Sequence, residues 1–218
     1  MFTDNWFNIE TKNRVNIVLF ICICFQAKFS EIGIKMDKNQ LFTEPPKSSL
    51  SFWNKSLRAI WSIVWILLFR PSPRPFFGWR RFLLRLFGAK IAKGVRVYSS
   101  TKIFYPPNLI METFSSLGPD VDCYCVDKIV IGQYAIVSQY SFLCTGSHDY
   151  QKPNLPLITT PIKIERQAWI AADSFIAPGV TIGEGAVVGA RSSVYHDVPS
   201  WVVVVGNPAT KLKDRIIE

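Results

Sequence analysis

The chain has 218 residues, 49% of them hydrophobic, and carries 25 Lys and Arg against 16 Asp and Glu for a formal net charge of +9. Nearly half hydrophobic excludes disorder as a global description, and the length accommodates one substantial domain plus an appendage. The charge favours anionic partners, a phosphorylated cofactor, an acidic polymer or a membrane surface, without choosing among them.

Residues 1–50 read as a variable N-terminal extension. The run NIVLFICICF, residues 16–25, follows Lys12 and Arg14 like the start of a secretory signal but lacks a small-residue cleavage site. About ten apolar residues are too few to cross a hydrocarbon layer. Met36 opens a more ordinary polar start, so residues 1–35 stand as an extension not necessarily native to the functional protein. Five cysteines, Cys22, Cys24, Cys123, Cys125 and Cys144, lack the paired spacing of a zinc ribbon and read as reduced thiols of a cytosolic protein. With only His148 and His196, a three-histidine metal site would have to be assembled from several chains, so no metal is expected.

Residues 51–90 read as a helical segment. Leu57, Ile60, Trp61, Val64, Trp65 and Leu68 fall at helical spacing, the other face is largely apolar too, and Pro71 closes the helix. In FFGWRRFLLRLFG, residues 76–88, Trp79, Phe82, Leu83, Leu86 and Phe87 form one stripe and Arg80, Arg81 and Arg85 the other face, with Gly88 as a C-cap. Between Arg70 and Arg96 there are eight basic residues and no acidic one. Two readings stand: the helices dock on anionic lipid, or they pack on the rest of the domain with the arginines as a solvated face.

From residue 91 to 205 the period changes to six. Ile164, Ile170, Ile176, Ile182, Val188 and Val194 form one column, and Ala171, Ala177, Gly183 and Gly189 the next. Hexapeptides with an inward aliphatic and a small neighbour specify a parallel β-helix of three short sides per coil, so Ile164 stacks under Ile182, Ile170 under Val188 and Ile176 under Val194. Counting back, Ile91, Val97, Ile103 and Leu109 set a first coil over about 91–108. The 22 residues from Leu109 to Ile131 make one coil plus four extra, which puts Asp120, Asp122, Tyr124 and Asp127 near an irregular corner. Ile131, Val137 and Leu143 set the next coil. About five coils follow in all, with a 15-residue excursion at 149–163, where Pro153, Pro156 and Pro161 cannot donate to a ladder. His148 sits at the root of that loop, and long loops in a compact repeat are commonly functional. A short C-terminal helix is expected within the tail, 206–218.

These blocks, together with LLFRPSPRPFFGWRRFLLRLFGAKI, CYCVDKIVIGQYAIVSQYSFLCTGSHDY and VVGNPATKLK, resemble the left-handed β-helix, hexapeptide-repeat acyltransferases, and more narrowly the O-acetyltransferases of colanic acid and related exopolysaccharide biosynthesis. The resemblance covers roughly Phe52 to the C-terminus. It implies an all-β, left-handed parallel β-helix behind an N-terminal helical segment. It also implies direct acetyl transfer from acetyl-CoA to a sugar or glycan hydroxyl, a homotrimer with the cofactor between subunits, and neither nucleic acid nor metal. His148 in TGSHD matches the general base, with Asp149 or a backbone carbonyl orienting the imidazole. Trp169, Ala171, Gly189 and Ala190 match the cofactor groove, and Gly206, Asn207 and Pro208 the block that ends the β-helix. Lys211, Lys213 and Arg215 follow near the phosphates, unless they belong to an ordinary basic helix. His196 stands where many relatives carry a lysine that holds cofactor phosphate. Tyr124, Cys125 and Asp127 fall on the acceptor side, Cys125 where relatives tend to have asparagine. Corner packing alone explains the small residues equally well, and Cys144 reads as structural. A cytoplasmic enzyme, peripheral on the inner membrane face if its helices bind lipid, is one outcome; a non-catalytic trimeric scaffold docked by its basic helices is the alternative.

Overall fold

The structure, a computed structural model, describes residues 51–152 and 154–217. The signal-like run at 16–25 and the alternative start at Met36 lie outside the described residues. Three parallel sheets wind around one core. The first side stacks β1 (Lys90–Ile91), β4 (Leu109–Met111), β7 (Ile129–Ile131), β12 (Ile162–Ile164) and β15 (Thr181–Ile182). The second stacks β2 (Arg96–Val97), β5 (Ser116–Leu117), β8 (Ile136–Val137), β13 (Trp169–Ile170), β16 (Val187–Val188) and β18 (Val202–Gly206). The third stacks β3 (Lys102–Ile103), β6 (Asp122–Tyr124), β9 (Phe142–Cys144), β14 (Phe175–Ile176) and β17 (Ser193–Val194). The expected stacking is present in register, Ile164 on Ile182, Ile170 on Val188 and Ile176 on Val194, and the inward side chains are buried.

The small residue after each inward aliphatic marks a close approach between coils. A Cβ on Gly183 would lie 2.5 Å from the backbone N of Ser200, and one on Gly132 would lie 2.7 Å from that of Arg166. Real Cβ contacts do not reach such distances, so the corner packs only around glycine there.

The count of extra residues needs correction. Ile91 stacks on Met111 and Met111 on Ile131, so the four surplus residues are split, two in each of two 20-residue coils. Both pairs fall at the corner between the third and first sides, around residues 104–108 and 124–128. The long excursion leaves from the same corner. It is a hairpin, β10 (Gly146–His148) antiparallel to β11 (Leu157–Thr159), and it departs earlier than position 149. Thr145 and Thr160 close its base, the Thr160 N–H donating to the Thr145 carbonyl at 3.0 Å.

At the C-terminal end the expected helix is absent: β19 (Ala209–Asp214) folds back antiparallel on β18. The physical reason is the free edge of β18, whose backbone groups would otherwise be unpaired.

The N-terminal end is closed differently. Helix α1 (Phe52–Val64) takes Ser51 as N-cap and runs on through a π-helical turn, Trp65–Phe69; α2 (Phe77–Leu86) follows. Along the β-helix, carbonyls of each coil accept from the coil before it: Met111, Ser115, Leu117, Val121 and Cys123 accept from Ala92, Arg96, Tyr98, Lys102 and Phe104. Among the described residues the first coil has no coil before it. Its equivalent carbonyls accept from helix side chains instead: Ile91 from Arg85 Nε (2.8 Å), Val95 from Arg81 (2.9 Å), Val97 from Arg80 Nε (2.6 Å), Thr101 from Trp65 (2.9 Å) and Ile103 from Trp61 (2.8 Å). Arginine and tryptophan side chains only donate and carbonyls only accept, so the edge selects these residue types.

This inverts the amphipathic reading of α2. Arg80 is fully buried, with further bonds to Ser72 and to the carbonyls of Pro73 and Arg74, whereas Trp79, Phe82 and Leu86 face outward, 37%, 54% and 67% exposed. Burial pulls the Arg80 guanidinium below its ordinary pKa. The guanidinium groups of Arg80, Arg81 and Arg85 are therefore engaged by the first coil, Arg80 wholly buried, Arg81 half-buried and Arg85 exposed beside its bond.

Candidate functional site

The corner between the third and first sides gathers most of the expected acceptor-side residues. Tyr124 projects from β6 on the outer face of the third side. A Cβ on Gly146 would lie 3.1 Å from its ring, so the ring rests against the root of the β10–β11 hairpin. The outer face is an aromatic ladder, Phe104, Tyr124, Phe142, Phe175 and Tyr195, with successive ring centroids 4.6, 6.3, 5.6 and 5.9 Å apart. Burial, then the neighbouring Cys144, raises the Tyr124 pKa, so the phenol stays neutral. Thr145, which sequence reasoning missed, rivets the corner: its hydroxyl donates to the Tyr124 carbonyl (2.8 Å) and accepts from the Asp127 N–H (2.9 Å). The signal available was its place one residue past the third side, where both strands of the excursion meet.

His148 ends β10 and is exposed. Its Nδ1 lies 2.6 Å from the Leu155 carbonyl. A carbonyl cannot donate, so Nδ1 carries the proton in the neutral ring and Nε2 is left as the basic nitrogen. The carbonyl, rather than Asp149, orients the imidazole. The Asp149 carboxylate is committed to the turn, with Oδ1 accepting from the Gln151 N–H at 3.1 Å and Oδ2 paired with Lys152 at 3.4 Å.

Two cysteines resolve plainly. Cys125 is fully buried and bonds through Sγ to the backbone of Tyr105 at 3.3 Å, so it presents nothing to an acceptor where asparagine was expected to. Cys144 is pushed up to about 11 by burial and stays a thiol, donating to the Gly146 carbonyl. A thiolate nucleophile is thereby disfavoured.

The expected cofactor residues lie elsewhere. Ala171, Gly189 and Ala190 fall at the corner between the second and third sides, and the turn Gly206–Pro208 reaches the same corner, where the Gly206 N–H donates to Ser192 Oγ at 3.0 Å. That turn, Ala190 and Lys211 are exposed. Ala171 and Gly189 are already committed: their N–H groups donate to Val188 and Val204, and their carbonyls accept from the Ser174 hydroxyl. A Cβ on Gly189 would lie 2.6 Å from Val205 Cγ1, so this glycine serves corner packing. Trp169, 44% exposed on the second side, donates through Nε1 to Ser138. Lys211 pairs with Asp214 at 2.6 Å. Arg215 is tied to the Gly185 carbonyl (2.7 Å) and lies over Trp201, so it is not free for a phosphate. His196 follows β17 at the corner of His148, apart from the other cofactor candidates.

Within one chain, then, His148 and the exposed groove residues stand at different corners, separated by a full side, roughly 20 Å of extended chain. A groove of about 520 Å³ lies on the first side along Lys90, Ile110, Glu112 and Gln133, away from both.

Residues 161–196 match the family described as bacterial transferase hexapeptide (six repeats). The chain is 47% identical over 157 residues to Escherichia coli K12 WcaF, whose name assigns it provisionally to colanic acid biosynthesis as an acetyltransferase; the match covers 72% of this chain and 86% of WcaF. Among solved structures it is similar to a hexapeptide-repeat acetyltransferase of Vibrio cholerae O1 biovar eltor complexed with acetyl coenzyme A (TM-score 0.69, 24% identity, 78% of this chain and 93% of that one). It is also similar to a maltose O-acetyltransferase of Clostridium difficile 630 (TM-score 0.65, 25% identity, 77% and 90%).

Proposed function

The chain belongs to the hexapeptide-repeat acetyltransferase family, with a left-handed β-helix, and on that premise we propose that it transfers acetyl from acetyl-CoA to a sugar hydroxyl of an exopolysaccharide or lipid-linked glycan precursor. The observation that carries the reading is the His148 imidazole held through Nδ1 by the Leu155 carbonyl, with Nε2 available as a base. The WcaF name supports the glycan class and the maltose O-acetyltransferase supports a sugar acceptor.

In this reading Nε2 of His148 takes the proton of the acceptor hydroxyl as its oxygen attacks the thioester carbonyl carbon. Collapse of the tetrahedral adduct breaks the C–S bond, and the imidazolium returns the proton to the departing thiolate. Backbone N–H groups stabilise the oxyanion. Tyr124 and Asp127 flank the acceptor. The donor lies along the corner of Ala190 and Gly206–Pro208, with Lys211 and Lys213 beyond. Since one chain keeps these corners apart, a trimer supplies the groove of one subunit to the histidine of the next, in the cytoplasm where acetyl-CoA is made.

The test is CoA release with a glycan acceptor by wild type and His148→Ala. The variant should keep its melting temperature and lose at least about 100-fold in rate, the lower bound for general-base catalysis. Undiminished transfer would sink the assignment.

A further inference from the structure

Capping the first coil with arginines and tryptophans has a second effect: it turns the apolar side of the helices outward. Ile63 and Leu67 on the first helical stretch and Phe76, Trp79, Phe82 and Leu86 on the second are 37–67% exposed. They form one face. The Trp79 Nε1–H donates to the Leu68 carbonyl at 3.0 Å, tying α2 to the end of the first stretch, and Trp79 stacks on Phe82 with centroids 5.7 Å apart. Between the two stretches runs a groove of about 300 Å³ lined by Leu67, Leu68, Pro71, Phe76 and Trp79. Among the described residues no helix is long and apolar enough to cross a membrane.

Charge identifies the occupant. Residues 51–111 hold eleven Lys and Arg and no Asp or Glu; residues 1–50 hold six basic against five acidic, and residues 112–218 eight against eleven. The whole positive excess of the molecule therefore lies in the capping segment and first coil. Arg80, Arg81 and Arg85 are tied to carbonyls, but Arg70, Arg74, Lys90 and Lys93 are exposed around the apolar face. The ion pairs among the described residues all lie beyond residue 148. A second copy docking face to face would set this net positive segment against itself, and residues 1–50 add a net +1 to it. A surface that is apolar within and negative at its boundary satisfies both features.

We propose that the outward face of α1, the π-helical turn and α2 is a docking surface for an anionic phospholipid bilayer, with Trp79 and Phe82 at the headgroup boundary and Arg70 and Arg74 on lipid phosphates. The proposal stands independently of the chemistry at His148. It places the N-terminal end of the β-helix toward the membrane.

The experiment is co-sedimentation of the full chain with phosphatidylcholine vesicles, with and without about 30% phosphatidylglycerol, at about 0.1 M and about 0.5 M salt. Wild type should bind the anionic vesicles at least about tenfold more strongly than neutral ones and lose most of that preference at high salt. Leu67→Glu/Phe82→Glu should reduce anionic binding at least about tenfold while leaving the melting temperature unchanged. Arg70→Ala/Arg74→Ala, which removes only cation–π contacts with Trp65 and Tyr98 and leaves the carbonyl donors of the cap in place, should reduce the anionic preference and serves if the glutamate variant does not fold. Equal binding to both vesicle types overturns the proposal, as does no binding to either. Full binding by both variants would assign the affinity to residues 1–50 and also overturn it, as would a change in oligomeric state in the glutamate variant with lipid binding intact.

Discussion

The two ends of the β-helix meet the same problem, an unpaired sheet edge, with different materials. At the C-terminal end the solution is local: the chain turns at Gly206–Pro208 and lays β19 on β18, while the Asp197 carboxylate accepts from the Thr181 N–H at 2.7 Å. At the N-terminal end five carbonyls are met by five side chains from a helical segment. Backbone capping leaves both faces of the added strand to ordinary sequence choice. Side-chain capping turns the polar face of a helix inward and sends the apolar face out, so the N-terminal end acquires an exposed apolar face as a by-product of being capped.

The sharpest way to break this contrast is Arg80→Leu, which keeps the bulk of the side chain and removes the donors to Val97, Ser72, Pro73 and Arg74. Buried carbonyls lose a charged donor, and we expect a loss of about 3 kcal/mol, the upper end for a hydrogen bond to a charged group, measured by chemical denaturation. Asp197→Ala removes one acceptor at the partly solvated opposite end and should cost about 1 kcal/mol by the same measurement. Lys211→Ala, on the exposed β19 with only the Asp214 pair to lose, should fall within about 0.5 kcal/mol. An Arg80 effect no larger than that of Lys211 would mean that the helices do not hold the first coil.

The β-helix was legible because its repeat is its geometry. Ile164 to Val194 recur every six residues, and the structure stacks them in that order. The miscount near Leu109 has a physical source. Strand side chains alternate, so residues two apart share a face, and Leu109 and Met111, like Ile129 and Ile131, are all buried. A shift of two leaves the inward column intact, and spacing alone cannot detect it. The arginine face of α2 was misread for another reason: which side of an amphipathic helix is inward depends on what it packs against, and its partner here is a row of carbonyls. The root of the excursion locates His148 in the sequence, but the choice between Asp149 and a carbonyl as the partner of its imidazole required the fold of the hairpin.

The corner between the third and first sides carries three consecutive insertions, two short and one long, and after each the chain re-enters the ladder with an inward pair or column intact at Leu109–Met111, Ile129–Ile131 and Ile162–Ile164. A corner that absorbs length without disturbing register acts as a splice point. Segments grafted between residues 104 and 108 inherit a fixed position beside the aromatic ladder, so the proposed acceptor side can be varied there while His148, the core and the other two corners keep their sequence.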